Sequence, residues 1–301
     1  MTASPEPPEI AIITGASTGI GAATAREFAR RGLHVLAGVR RQQDADALRA
    51  PGIEPVVLDV TKADHIQALI ARIRGDEQGR PVRILVNNAA VQVNVPIETF
   101  PIDKWRHMFE VNLFGQVAVT QALLPALIRD NGRVVNISSV GGKLAMATNG
   151  PYSCTKYAVE AFSDSLRREL AQSGVKVVVI EPGAVQTEML GRGITAANEL
   201  LSTMTPEQID RYGGQVRAVL AQAEKSTRSG LPAEAAARVI VKASLARKPR
   251  TRYTVGRDAA MVTYMARFVP DRMLDHVLTA ALRPYVRGDR KRPDGTSTAI
   301  R

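Results

Sequence analysis

Eight residues, Thr14-Gly15-Ala16-Ser17-Thr18-Gly19-Ile20-Gly21, separate the apolar run Ile10-Ala11-Ile12-Ile13 from a helical pattern over 22–31. Ala25, Phe28 and Ala29 share one face of that helix, and Gly32 is placed to cap its end. A second apolar run follows at 34–39. Strand, glycine-rich turn, helix and strand make a βαβ unit. Glycines permit positive φ and let a backbone come close to a pyrophosphate. The helix N-terminus adds N–H groups and a partial positive charge that suit phosphate. The spacing is G-x-x-x-G-x-G, not the G-x-G-x-x-G of the usual dinucleotide turn. Taken alone, the turn also fits a flavodoxin-like sheet that holds no nucleotide.

The alternation continues along the chain. Residues 55–58 form a strand pattern that ends at Asp59-Val60, and 64–73 repeat Ile66, Leu69, Ile70 and Ile73 at helical spacing. A strand at 82–86 ends in Asn87-Asn88-Ala89-Ala90. A long helical stretch spans 101–129, and a strand at 133–137 runs into Ser138-Ser139. Residues 175–180 lead to Glu181-Pro182-Gly183, and 252–255 form the last strand. This order predicts an α/β fold: a Rossmann-like, doubly wound parallel sheet in three layers, with a helical C-terminal extension. The 301 residues, 45% hydrophobic and 23% charged, suffice for one large core. We expect a catalytic domain over 1–256 and a basic helical extension over 257–301. Broken helical patches at 191–229 predict a mobile lid. The tail from Gly288 is polar, and disorder is expected there. No apolar run reaches about 18 residues, so no membrane-spanning helix is expected. The N-terminus has no signal-peptide pattern.

Tyr152 and Lys156 stand four apart in the next helical pattern, which brings them to one face. Ser139 leaves the strand before them. A hydroxyl, a phenol and an ammonium therefore meet at the carboxyl end of a strand. A nearby cation favours ionisation of a phenol, which could then exchange a proton with a substrate oxygen.

Taken together, the pieces resemble the short-chain dehydrogenase/reductase family: T-G-A-S-T-G-I-G at 14–21, D-V at 59–60, N-N-A-A at 87–90, N-L at 112–113, S-S at 138–139, Y-S-C-T-K at 152–156 and P-G at 182–183. They occur in the family's order across roughly residues 9–190. The family usually has glycine at Ala90 and often Ala-Ser at Cys154-Thr155. The second half is similar to the branch acting on steroids, retinoids and other hydrophobic alcohols.

The resemblance implies roles. Tyr152 would be the general acid/base. Lys156 would lower its pKa and hold the nicotinamide ribose. Ser139 would polarise the substrate oxygen. Asn112 would bend its helix and hold a water that relays protons to Lys156. Gly15, Ser17, Thr18, Gly19, Ile20 and Gly21 would cradle the diphosphate. Asp59 and Val60 would face the adenine, and Asn88 and Ala89 the adenosine. Pro182, Gly183, Val185 and Thr187 would flank the nicotinamide. The implied activity interconverts a hydroxyl and a carbonyl. An NAD-preferring site needs a carboxylate at the end of the second strand. Here Arg40 and Arg41 stand there, so NADP(H) is expected over NAD(H), with Arg40 as the main contact.

The net charge of +11 is concentrated. Residues 241–301 hold fourteen Lys and Arg against five Asp and Glu, so +9 of it lies there. A solvated arginine-rich surface and a weak association with a membrane surface through residues 259–282 are the two readings retained. Nucleic acid is not expected as a partner, because the segment carries few aromatics and no helix-turn-helix pattern. The four histidines and the single Cys154 show no metal spacing, so no catalytic metal is expected. Apolar residues at Leu144, Met146, Met189, Leu190, Leu200, Leu201 and Met204 predict a hydrophobic alcohol or ketone as substrate. A homodimer or homotetramer in the cytoplasm is expected. The rival reading is an NADP(H)-binding sensor or scaffold without turnover, and an intact Ser139, Tyr152 and Lys156 set argues against it.

Overall fold

Each apolar run flanked by turn residues becomes a strand of one sheet in the computed structural model, which describes residues 7–288. The strands are β1 (Ile10–Ile13), β2 (His34–Val39), β3 (Ile53–Val57), β4 (Val82–Asn87), β5 (Arg133–Ile137), β6 (Lys176–Pro182) and β7 (Arg252–Val255). Their order is β3-β2-β1-β4-β5-β6-β7, and every neighbouring pair is parallel. The order reverses between β1 and β4. Such a switch point opens a crevice at the carboxyl ends of the strands.

Both faces of the sheet are covered, and alternation along each strand divides two cores. Ala11, Ile13, Val35, Ala37 and Val135 join Phe28 of α1 (Gly19–Arg30) and Ile240 of α9 (Ala233–Leu245). Ile10, Ile12, Leu36, Leu85 and Val134 face the other way, toward Ile66 and Leu69 of α3 (Ala63–Arg74) and Val119, Leu123 and Leu127 of α5 (Gly115–Arg129). Burying one such aliphatic side chain is worth about 1.5–3 kcal/mol, so this two-sided burial holds the three layers together.

The stretch expected as one helix over 101–129 contains three pieces. These are α4 (Ile102–Phe109), a π-helical turn (Glu110–Phe114) and α5. By length and composition the whole stretch could cross a membrane, with a mean hydropathy of 1.5. That departs from the expectation drawn from uninterrupted runs. Here the stretch closes the second core: Val119, Leu123 and Leu127 are fully buried under the sheet, and α3 lies alongside.

Two other regions differ from the sequence reading. A short α2 (Gln42–Leu48) follows β2 where no helix was read. The lid is not a loop with patches but two regular helices, α7 (Glu188–Leu201) and α8 (Pro206–Ser229). Thr205 starts α8 with a capping box: its hydroxyl accepts from Gln208 N at 3.3 Å, and Gln208 Oε1 accepts from Thr205 N at 3.0 Å. Beyond β7, α10 (Arg257–Phe268) and α11 (Asp271–Gly288) are separated at Pro270. α11 lies against α8, so the extension returns over the lid. The polar tail expected from Gly288 on lies, past that first residue, outside the described residues.

Candidate active site

The turn from β1 into α1 is shaped for close approach. Gly15 and Gly19 adopt φ of +65° and +55°. A Cβ at Gly21 would meet Gly15 O at 2.3 Å and Asn88 Nδ2 at 2.6 Å. Thr14 Oγ1 accepts from the N–H groups of Asn88 and Ala89, both at 3.0 Å, and the Asn88 amide donates to the carbonyls of Thr14 and Gly15 at 3.0 and 2.9 Å. The end of β4 is thereby fastened to the glycine turn. Both amide hydrogens of Asn88 serve this fastening, so its side chain shapes the adenosine wall. α1 has no acidic residue in its first turn and no side-chain cap, which leaves its N-terminus suited to an anion.

A cavity of about 570 Å³ opens above this turn. The sheet order sets Arg40 and Asp59 toward its β2–β3 side and Ser139, Tyr152 and Lys156 toward β5. Of the residues expected to do chemistry or hold the cofactor, only Gly21 and Asn112 stand off the wall. Gly21 sits behind it as a packing contact. A crevice of this size, with a glycine cradle and an anion-ready helix end, fits a nicotinamide dinucleotide.

Ser139 opens a single 3-10 turn (Val140–Gly142), and its Oγ accepts from Gly141 N at 3.0 Å. Tyr152 and Lys156 lie one turn apart on α6 (Gly150–Glu169) and are 5% and 1% exposed. Lys156 Nζ donates to Ile137 O at 2.8 Å and lies 5.6 Å from the centre of the Tyr152 ring. Burial pulls the Lys156 ammonium down to about 8, against the pull of Glu160. Burial likewise pushes the Tyr152 phenol up to about 12, opposed by its hydrogen bond with Ser139. This corrects the expected direction, in which Lys156 lowers the phenol. Desolvation is the largest cause for both groups, and the ammonium is turned to a carbonyl.

A π-helical turn, wider than the α-helix on either side, is centred on Asn112. Its amide donates to Val91 O at 2.9 Å and Thr155 Oγ1 at 3.0 Å, and its Oδ1 accepts from Val91 N at 2.8 Å. Both amide hydrogens thus tie the loop after β4 to α6.

The remaining expectations divide. Asp59 Oδ1 accepts from Thr61 N at 3.0 Å and Thr61 Oγ1 at 2.7 Å, which holds its carboxyl below the usual range against the cost of burial. Thr187 stands at the N-cap of α7 without capping it and faces Gly19 across the cavity wall. Arg41 is bound to Asp44 at 2.9 Å, so Arg40 is the guanidinium of the pair that lines the cavity. Leu144, Met146, Met189 and Leu190 line it as well. Leu200, Leu201 and Met204 do not. Leu200 and Leu201 on α7, and Met204 in the link to α8, pack instead with Val95, Phe100, Trp105 and Met108 beneath the lid.

Sequence reasoning missed two features. One is Arg192 of α7, which also lines the cavity. Its only trace in the sequence is the i, i+4 spacing from Glu188. The other is a charged group behind Lys156, in which Lys143 and Arg252 meet Glu160, Glu181 and Asp164. Its members are scattered over 110 positions, and nothing in their local spacing links them.

Comparison with known proteins matches residues 9–198 to the short chain dehydrogenase family model. A similar relative is an NADPH-dependent 3-dehydrocapnine reductase of Ornithobacterium rhinotracheale, 36% identical over 284 residues, covering 91% of this chain and 97% of that protein. Retinol dehydrogenase 16 of Homo sapiens is 34% identical over 274 residues, covering 88% and 86%. Among solved structures, a short-chain dehydrogenase of Streptomyces avermitilis superposes with a TM-score of 0.71 at 28% identity, over 96% of this chain and 100% of that one.

Proposed function

The chain belongs to the short-chain dehydrogenase/reductase family and acts on CH–OH groups with a nicotinamide cofactor, and from that premise we propose that it interconverts a hydroxyl and a carbonyl on a hydrophobic, steroid-, retinoid- or lipid-like substrate with NADP(H). The observation that carries this reading is the convergence of Ser139, Tyr152 and Lys156 in one cavity with the glycine cradle.

When bound, the nicotinamide supplies or accepts the hydride. The protein does the rest. Ser139 and Tyr152 aim hydroxyls at the substrate oxygen, where negative charge develops during reduction. Tyr152, held neutral by its high pKa, gives that oxygen a proton and takes it back in oxidation. Lys156 holds positive charge beside the phenol and so stabilises the phenolate left behind. A relay water at Asn112 would use its main chain or the spare lone pair of Oδ1. Leu144, Met146, Met189 and Leu190 provide an apolar wall that suits a hydrophobic substrate and excludes water. The NADP(H) preference is supported by Arg40 directly after β2, where an NAD-preferring site would carry a carboxylate, and by the NADPH dependence of the 36% identical relative.

A homo-oligomer belongs to the same proposal. Phe114, Ile128 and Tyr157 are exposed on the 101–129 stretch and on α6, which offers apolar surface to a second copy. So does a weak membrane-surface association, which exposed Met261, Tyr264, Phe268 and Met273 on α10 and α11 support.

The test is consumption of NADPH by the purified protein with a panel of steroid, retinoid and fatty ketones. Turnover that is lost in Tyr152→Phe supports the proposal. Tight NADPH binding with no turnover on any of these would replace it with the sensor reading.

A further inference from the structure

α7 carries Glu188 and Arg192 one turn apart. Arg192 Nη2 donates to Glu188 Oε2 at 3.1 Å and reaches across the cavity to Thr18 Oγ1 at 3.0 Å. Thr18 is the N-cap residue of α1, but its hydroxyl does not cap the helix. A guanidinium from the lid therefore stands on the positive end of α1. The dipole of α1 disfavours a cation there unless an anion comes between them.

Arg192 also helps hold the Asp44 carboxyl below its usual range, together with Arg41 and Arg40. Asp44 lies in α2, just past the end of β2. Arg192 and Arg40 line the same cavity, and both bear on Asp44 through their charge. Arg41 is bound to Asp44 and Asp59 to Thr61. Two guanidiniums thus line the cavity, Arg40 from the end of β2 and Arg192 from the lid, and Arg192 also touches the N-terminus of α1. Such a concentration of donors and positive charge suits a phosphate dianion.

We propose that Arg192 is a second arm for the adenosine 2′-phosphate, delivered by the lid, so that α7 docks against α1 with that phosphate between them. This rests on the NADP(H) reading. It makes α7 part of cofactor selection as well as cover for the substrate. A plain surface ion pair between Glu188 and Arg192 is the alternative, and it would give no phosphate selectivity.

The lid carries its own reporter. Ile194, Leu200 and Leu201 on the underside of α7 share a cluster with Trp105, the single tryptophan of the chain.

The experiment is calorimetric titration of the full chain with 2′,5′-ADP, 5′-AMP and ADP, in wild type, Arg192→Ala and Arg40→Ala, with Trp105 emission followed at saturation. Arg192 is exposed, and an unchanged melting curve confirms that the variant folds. Wild type is expected to bind 2′,5′-ADP more tightly than 5′-AMP. Arg192→Ala should weaken 2′,5′-ADP about tenfold and leave 5′-AMP and ADP within about twofold, the loss expected of one charge-assisted contact. The emission change on saturation with 2′,5′-ADP should persist in Arg40→Ala and vanish in Arg192→Ala. Unchanged 2′,5′-ADP affinity in Arg192→Ala, or equal loss for all three nucleotides, overturns the inference alone. A wild type that does not distinguish 2′,5′-ADP from 5′-AMP overturns the NADP(H) reading, and the inference with it.

Discussion

Lys156 Nζ lies 5.6 Å from the centre of the Tyr152 ring, yet it gives its hydrogen bond to the Ile137 carbonyl at 2.8 Å. The two groups share a dry site more than they share a charge interaction. Burial favours the neutral form of each, moving the amine down to about 8 and the phenol up to about 12. The pair holds a protonated phenol ready, which suits reduction at neutral pH.

A pH profile follows from those two values. Tyr152 keeps its proton throughout the neutral range, so it does not limit ketone reduction there. Lys156 loses its positive charge as pH rises through about 8. Reduction by kcat/KM should therefore be flat around neutrality and fall above about 8, by roughly tenfold per pH unit once the amine is neutral. Lys156→Gln should be slower and should lose that limb. A wild-type profile still flat at pH 10 would contradict the assignment.

Stability carries the same signature with a definite sign. The folded pKa of Lys156 lies below its unfolded value of 10.5. The unfolded chain thus binds more protons between about 8 and 10.5, and the Lys156 contribution to stability rises with pH across that window. Below it, the cost of the buried ammonium is fully present, on the order of 3 kcal/mol. Lys156→Met should be more stable than wild type at pH 7, and the gap should narrow toward pH 10. Urea denaturation at the two pH values measures both.

The hydroxyl roles separate by substitution. Tyr152→Phe removes the proton donor and keeps the ring in its cluster, so turnover should drop by roughly 10³-fold or more. Ser139→Ala should cost about 10²-fold, the usual loss for one donor to a developing oxyanion. Nucleotide affinity should hold within about threefold in both, since neither hydroxyl is needed to seat the dinucleotide. Steady-state kinetics paired with NADPH titration distinguishes these losses from general damage. Equal loss of binding and turnover would point to misfolding.

What could be read in advance was what repeats locally. The β1-α1-β2 unit, the later strands and the Tyr152-Lys156 spacing follow from periodicities of 2 and 3.6 and from glycine placement. The direction of the Tyr152 shift did not follow, because desolvation depends on burial, which the whole fold decides. Leu200 and Leu201 were assigned to the pocket on composition alone, and only the rotation of α7 turns them to Trp105. α2 escaped because seven mostly polar residues leave little apolar pattern. The buried ladder in which Asn87 Nδ2 donates to Thr120 Oγ1 and Asn136 Oδ1, and Asn136 donates to Ser163, joins residues tens of positions apart. Each alone reads as an ordinary polar interruption of a strand or helix.

Two glycines test the cradle against simple strain. A Cβ at Gly21 has no room, with a backbone oxygen at 2.3 Å. At Gly32 the φ is +85° and nothing lies within 4 Å of the added carbon. Gly32→Ala should cost only the left-handed backbone term, about 1–2 kcal/mol, and leave NADPH affinity unchanged. Gly21→Ala must move Gly15 or Asn88, so it should weaken NADPH binding by more than tenfold as well as lower the melting temperature. Similar binding in the two variants would remove Gly21 from the cradle.

The charged group behind Lys156 makes the last prediction. Arg252 lies 3.0 Å from Glu160, 3.1 Å from Asp164 and 3.4 Å from Glu181, and Lys143 lies 2.6 Å from Glu160. Glu160 and Glu181 thus share Lys143 and Arg252, while Asp164 also meets Arg167 at 3.4 Å and Arg168 at 3.8 Å. Burial, reinforced by Glu160, pushes the Glu181 carboxyl up, despite Lys143 and Arg252. A folded pKa above the unfolded 4.5 means that the folded chain binds more protons, so stability from Glu181 falls as pH rises through its folded value. Arg252→Gln removes one of the two opposing cations and should move that value further up. The variant should lose roughly 2–3 kcal/mol at pH 8, discounted for the partial exposure of Arg252. Part of that loss should return at pH 5, because the raised Glu181 carboxyl is closer to protonation there and less of its charge needs a partner. The same substitution leaves Glu160 less neutralised beside Lys156, which should raise the pH at which ketone reduction begins to fall. A denaturation series at the two pH values, run beside the pH profile of kcat/KM, checks both. A loss of stability independent of pH would mean that Arg252 matters for packing and not for the charge of this group.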